Sequence, residues 1–181
     1  NICFCGIGRC YFVIIKSVLL VFLLLTNTES HSVEYIEGCD GKYQETNLSK
    51  DDLEYVLQKH AIWLANNKND SRDGERANLC KAKLQNVNLK NRNLESVIFN
   101  GADLAGAKMQ FSRLVGAILS EANLSEATLT GADLTNANLS DTKIVRANMN
   151  TVVLRGAEIV RADFTDSEMY SADLGNAVFE T

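Results

Sequence analysis

The 181-residue chain contains no proline. Proline fixes φ and removes a backbone donor, so it is excluded wherever N–H groups sit in hydrogen-bonded ladders. Its absence points to a chain that spends nearly all its donors in that way. A strong charge of either sign is also missing: 18 Lys and Arg against 23 Asp and Glu give a net charge of −5. A general nucleic-acid binder wants a basic face, so the balance argues against that class. Histidine occurs only twice, as His31 and His60, and His60 stands without a partner for acid–base chemistry. The hydrophobic share, 46%, and the charged share, 23%, are ordinary for a folded domain. The length suits one domain with small appendages.

No apolar run is long enough to span a bilayer. Even Tyr11–Leu25 is fifteen residues and contains Lys16, against about 20 needed. Ser17–Leu25 (SVLLVFLLL) instead follows Arg9 and Lys16 and precedes the polar Thr26–Ser30. That order is the n-region, h-region and cleavage region of a secretory signal. Ser30 and Ser32 place the expected cleavage before Val33. The alternative is an uncleaved N-terminal membrane anchor. Residues 1–32 are therefore read as signal peptide or anchor, and the rest as exported to a periplasmic, lumenal or extracellular space. The first residue is Asn1 rather than Met, and Thr181 falls on a repeat boundary, so both ends are read as trimmed or fragmentary.

Cysteine occurs five times. Cys3, Cys5 and Cys10 precede the apolar run, and no His or further Cys completes a metal cluster with them. Cys39 and Cys80 would remain in the mature chain. In an oxidising compartment they are candidates for a disulfide tying the N-terminal segment to the first repeat. Two separate thiols are the alternative.

Residues 33–76 form a segment with one expected helix, at about 49–65. Ser49 is a good N-cap, with Asp51 and Asp52 in the first turn. Leu53, Val56, Leu57, His60, Ala61 and Leu64 make one apolar stripe at helical spacing, with Trp63 flanking it. The polar Asn66–Gly74 stretch (NNKNDSRDG) reads as a loop. A solenoid needs its apolar end covered, and this helix is placed to be the cap.

From Ala77 to Thr181 the chain is an unbroken run of twenty-one pentapeptides. It begins ANLCK AKLQN VNLKN RNLES VIFNG ADLAG and ends SEMYS ADLGN AVFET. The third position is always Leu, Phe, Met or Ile. The first is Ala in fourteen units, and the second is Asn or Asp in ten. On an α-helix a five-residue step wraps apolar positions around every side. On a flat strand an odd step flips the face each time. A short strand followed by a turn, repeated every five residues, buries them all. First and third positions then point inward, the second outward, and the fourth and fifth make the corner. Gly101, Gly106, Gly116, Gly131 and Gly156 all fall at the fifth position, where a turn favours glycine. Arg92 is the one large polar residue at a first position, which would send its side chain into a core slot.

This pattern resembles the pentapeptide repeat family over all of residues 77–181. The helix with His60, Trp63 and Leu64, followed by Gly74-Glu75-Arg76-Ala77, is similar to the lead-in of many members. The resemblance implies an all-β solenoid: a right-handed quadrilateral parallel β-helix with four pentapeptides per coil, about five coils, behind a short α-helical cap. At strand spacing of about 4.8 Å the tract would be roughly 25 Å long. The four-sided register predicts four stacked core columns. They are Leu79, Phe99, Leu119, Leu139, Ile159, Phe179; Leu84, Leu104, Leu124, Ile144, Phe164; Leu89, Met109, Leu129, Met149, Met169; and Leu94, Leu114, Leu134, Leu154, Leu174.

No chemistry is visible on this frame. The tract has no His and only Cys80, so no nucleophile pair can be built within it. There is no phosphate-binding glycine loop and no metal-spaced cluster. No enzyme activity, catalytic residue, metal or cofactor is expected. Asn47, Asn69, Asn123 and Asn138 begin N-x-Ser sequons, but Asn-Leu-Ser arises automatically from the repeat, so they say little. Some members of the family mimic duplex DNA and bind type II topoisomerases, protecting gyrase. The tract here carries twelve acidic and ten basic residues, short of the acidic surface such mimicry needs. The favoured expectation is a non-enzymatic binding or scaffolding protein acting outside the cytoplasm, with an unidentified protein partner, no nucleic acid, and membrane contact only through an uncleaved N-terminus. Candidate contact residues are the outward apolar Ile98, Ile118, Phe111 and Tyr170. The coil around Phe179 is a second candidate, for homodimer formation.

Overall fold

The structure is a computed structural model and describes residues 4–6, 9–11, 39, 42–66, 68 and 73–180. It divides into two compact units, Asn1–Tyr35 and Ile36–Thr181. In the first, strands β1 (Phe4–Gly6) and β2 (Arg9–Tyr11) pair antiparallel with Cys5 opposite Cys10. The apolar run Ser17–Leu25 and the expected cleavage residues lie outside the described residues.

The second unit opens with a short stretch beside the repeats, and then helix α1, Lys50–Ala65. Ser49 caps α1: its Oγ accepts the Asp52 N–H at 3.1 Å, and Asp51 and Asp52 sit in the first turn. Both features stabilise a helix N-terminus. The helix ends where Asn66 N–H reaches the Ile62 carbonyl and Lys68, at φ 62°, donates to Trp63. Its buried residues are Leu53, Val56, Leu57, His60 and Trp63. The expected stripe is thus rotated. Trp63 belongs to it, its indole stacked on His60, and Ala61 is exposed. Gly74 allows the returning chain to close on the helix, since a Cβ there would stand 2.6 Å from the Trp63 backbone nitrogen.

The repeat tract is a solenoid. Second-position residues pair in parallel with residues twenty positions on, as in Asn78↔Ile98↔Ile118↔Asn138↔Glu158 and Lys83↔Asp103↔Asn123↔Lys143↔Asp163. Four such columns run through the tract. In one of them the pairing widens into strands β3 (Glu158–Val160) and β4 (Val178–Glu180).

In the stacked units, backbone carbonyls meet four of the five donors. The second-position N–H donates back one level, as Ile98 to the Ala77 carbonyl at 3.0 Å. The third and fifth donate forward, as Leu79 to Ile98 at 2.8 Å and Lys81 to Asn100 at 2.9 Å. The first-position N–H closes the corner, as Ala82 to Leu79 at 3.1 Å. The fifth residue has positive φ at each corner from Lys81 to Asn176, as the second central residue of a type II turn requires. Where the second residue is Asn or Asp, its side chain meets the fourth N–H. Asn78 Oδ1 accepts from Cys80 at 3.2 Å, Asn138 Oδ1 from Ser140 at 2.9 Å, and Asp163 Oδ1 from Thr165 at 3.0 Å. All ten Asn or Asp residues at second positions make this bond. It is a local side-chain-to-backbone bond of the Asx-turn kind.

First- and third-position side chains fill the interior. The third-position residues from Leu79 to Ile159 are buried. The hydroxyls that enter the core, Ser112 and Thr142, donate to the Met109 and Leu119 carbonyls at 2.7 and 2.9 Å. The expected core continues less far than the pattern implied. Phe164 and Met169 are half-buried, and Leu174 and Phe179 are exposed. Their inner faces lack a further level stacked upon them among the described residues. Arg92 also departs from expectation. Its backbone stays in the ladder, accepting from Arg113 N–H at 2.9 Å, but its exposed side chain turns outward to α1.

This donor pattern separates two proline substitutions. Lys143→Pro deletes a ladder bond, Lys143 N–H to the Ala122 carbonyl at 2.9 Å, and should cost about 3 kcal/mol or more. Val145→Pro falls at a fourth position, the first central residue of its turn, where the N–H makes no bond among the described residues. It should leave stability within about 1 kcal/mol of the parent. Urea unfolding of both variants checks the pair.

Candidate functional site

Three features could carry function: the junction between α1 and the first repeats, the corner charges, and the flat outward faces. The junction is held at several points. Cys39 and Cys80 form a disulfide with a Cα–Cα distance of 5.7 Å, inside the usual range. The Asn100 side chain lies beside it, with Oδ1 3.0 Å from Cys39 Sγ, and its Nδ2 donates to Ser120 Oγ at 2.8 Å. Arg92 grips Glu54 of α1 through two parallel bonds, at 3.1 and 2.7 Å. Such bidentate pairs fix geometry as well as charge. Glu95 bridges Lys68, at 2.7 Å, and Arg113. These bonds hold the Glu95 carboxyl below its ordinary range, Lys68 contributing most.

His60 lies at the centre of the junction, 1% exposed and stacked on Trp63 with ring centroids 5.5 Å apart. Its Nδ1 accepts the Ala77 N–H at 3.2 Å, so the neutral ring carries its proton on Nε2. That nitrogen is buried, near the Glu95 backbone. Burial pushes the His60 pKa down, as does the nearby Arg76 charge, while Glu95 acts in the opposite sense. His60 is thus a packing residue that anchors the first repeat.

A unit that the sequence reading missed also lies here. Thr46-Asn47-Leu48-Ser49-Lys50 has the same form as Ala122-Asn123-Leu124-Ser125-Glu126. Asn47 pairs with Lys83, Lys83 N–H donates to Thr46 at 3.0 Å, and Glu45 takes the positive φ of a fifth position. Leu48 packs against the core. The chain then leaves this isolated repeat directly into α1.

Several charges pair between neighbouring levels of the stack. Arg146 bonds Glu126 at 2.6 Å, Arg161 bonds Asp141 at 2.7 and 2.5 Å, and Arg155 bonds Asp173 at 2.6 Å. One face lacks charge over four levels. Its second- and fourth-position residues are Asn78, Cys80, Ile98, Asn100, Ile118, Ser120, Asn138 and Ser140. Ile98 and Ile118 are bridge partners on this face and are half-buried. The other candidates stand apart from them. Phe111 is 65% exposed at a corner, its ring against Gly131, and Tyr170 is 74% exposed near the far end. The structure therefore brings Ile98 and Ile118 together, but not Phe111 or Tyr170 with them. Among the described residues no group of His, Cys, Asp or Glu could hold a metal ion, and no helix is long and apolar enough to cross a membrane.

The family profile described as pentapeptide repeats matches residues 75–110 and 117–156, in 8 copies. No curated protein matches the chain. A pentapeptide repeat protein from Nostoc PCC 7120 aligns at 26% identity and a TM-score of 0.55, over 69% of this chain and 95% of that one. A pentapeptide repeat protein from the Arabidopsis thaliana thylakoid lumen aligns at 24% and a TM-score of 0.38, over 54% of this chain and 65% of its own. This chain thus spans just under two thirds of that protein's length. A trypsin-treated form of QnrB1, a plasmid-mediated fluoroquinolone resistance protein, aligns at 19% and a TM-score of 0.33, over 54% and 45%.

The buried His60 makes the junction sensitive to acid. Its folded pKa is lowered, so the unfolded chain takes the proton first as pH falls. His60 imposes no penalty well above the unfolded value of about 6.5 and a growing one below it, at a slope of at most about 1.4 kcal/mol per pH unit. Thermal unfolding at pH 7.5 and 5.0 should show this loss, and His60→Asn should flatten it.

Proposed function

Taking the chain as what its repeats make it, a pentapeptide repeat protein, we propose that it is a non-enzymatic binding and scaffolding module of an exported compartment. In this reading the tract is a right-handed quadrilateral β-helix of about five coils, and α1 is its N-terminal cap. The observation that carries the proposal is the charge-free face centred on Ile98 and Ile118. Loss of charge at the centre of a patch is what distinguishes protein-contact surfaces from ordinary surface. A flat parallel ladder presents that patch without reorganisation, which lowers the cost of ordering side chains on binding.

Export is supported by the signal-like order of Arg9, Lys16, Ser17–Leu25 and Ser30. The Cys39–Cys80 pair is also of the kind that persists in oxidising spaces. Duplex mimicry, the other reading, requires rows of carboxylates free to meet a basic groove. Here Glu126, Asp141 and Asp173 are each neutralised by an arginine on a neighbouring level.

The test replaces both isoleucines. Ile98→Ser with Ile118→Ser should leave melting nearly unchanged, because both side chains point outward. It should weaken partner capture from the native compartment, or self-association, by about tenfold. Equal capture by parent and variant rejects the face. N-terminal sequencing of the captured chain, beginning at Val33, checks export alongside.

A further inference from the structure

Between α1 and the first repeats lies a groove of about 380 Å³, at the small end of the range of about 300–1,000 Å³ for small-molecule sites. Its floor is apolar, made by Leu53 and Leu57 of α1 and by Leu84 and Val87 of the repeats. Its rim carries Lys50 and Lys83. The rim acid, Glu54, is already held by both arms of Arg92. Lys83 has only a loose contact with Glu45, at 3.8 Å, and Lys50 makes no ion pair among the described residues. The groove thus joins a hydrocarbon floor to two under-used cations, with its one acid neutralised.

We propose that this groove binds a small amphipathic carboxylate, an acyl or aryl chain ending in a single carboxyl group. The chain would lie on the leucines and Val87, and the carboxylate would meet Lys50 and Lys83. An anion gains from both lysines, whereas a cation of the same length meets like charge. A purely apolar molecule would leave the lysines without an anion. The Arg92–Glu54 bridge closes one side and keeps Glu54 from competing for the lysines.

The experiment titrates methyl-labelled full chain with octanoate, octylammonium and acetate, following the Leu53, Leu57 and Val87 resonances. Octanoate should shift them saturably, octylammonium at least about tenfold more weakly, and acetate not at all. Lys50→Glu with Lys83→Glu should weaken octanoate about tenfold. Val87→Trp, which fills the floor, should abolish the shifts while the repeat resonances stay dispersed. Equal response to octanoate and octylammonium, no saturation with octanoate, or unchanged affinity in the double lysine variant would overturn the assignment.

Discussion

The structure depends on one constraint: each backbone donor of a five-residue unit must find a partner without a continuous sheet. A flat strand solves this with neighbours on both sides, and an α-helix solves it internally. The pentapeptide does neither. Donors at its second, third and fifth positions reach neighbouring levels, and the first closes the corner. The fourth is left over, and in ten units an Asn or Asp side chain two residues back supplies the missing acceptor. A hydrogen bond of this kind contributes about 0.5–1.5 kcal/mol, enough to favour a residue type at a repeated position. The lack of proline follows at four positions of the five.

The same geometry dictates what the side chains can do. First and third positions face a narrow interior, so small residues alternate with Leu, Ile, Met or Phe. Each fully buried Leu contributes roughly 1.5–3 kcal/mol. Corners place successive fifth positions one level apart, so opposite charges there pair, as Glu126 does with Arg146 and Asp141 with Arg161. The interior has no room for a ligand, so function falls to the outer faces and the ends. The uncharged isoleucine face and the groove beside α1 are two such places.

Much of this was legible in the sequence. The invariant third position identified the inward face, and the period of five excluded helix and flat strand. Ser49 and the acids after it placed the start of α1. The cysteine pairing was open between a bond and two thiols, because distance across forty residues of chain cannot be read from spacing. Arg92 was opaque for a similar reason. Its partner, Glu54, lies 38 residues away on another element, so a rule about repeats could only send it inward. Thr46–Lys50 escaped notice because one repeat alone, cut off by a helix, has no periodicity. Leu174 and Phe179 matched the core pattern, but burial also requires a level above them. The two isoleucines were paired correctly because register alone decides that contact.

Backbone hydrogen exchange tests the donor assignment most directly. Third-position amides such as Leu124 and Leu129 should exchange slowly. Among fourth-position amides, Ser125 and Ser140, each bonded to an asparagine side chain, should be markedly slower than Val115 and Val145, which have no such partner among the described residues. Equal exchange within the fourth-position group, or third-position amides as fast as these, would contradict the account.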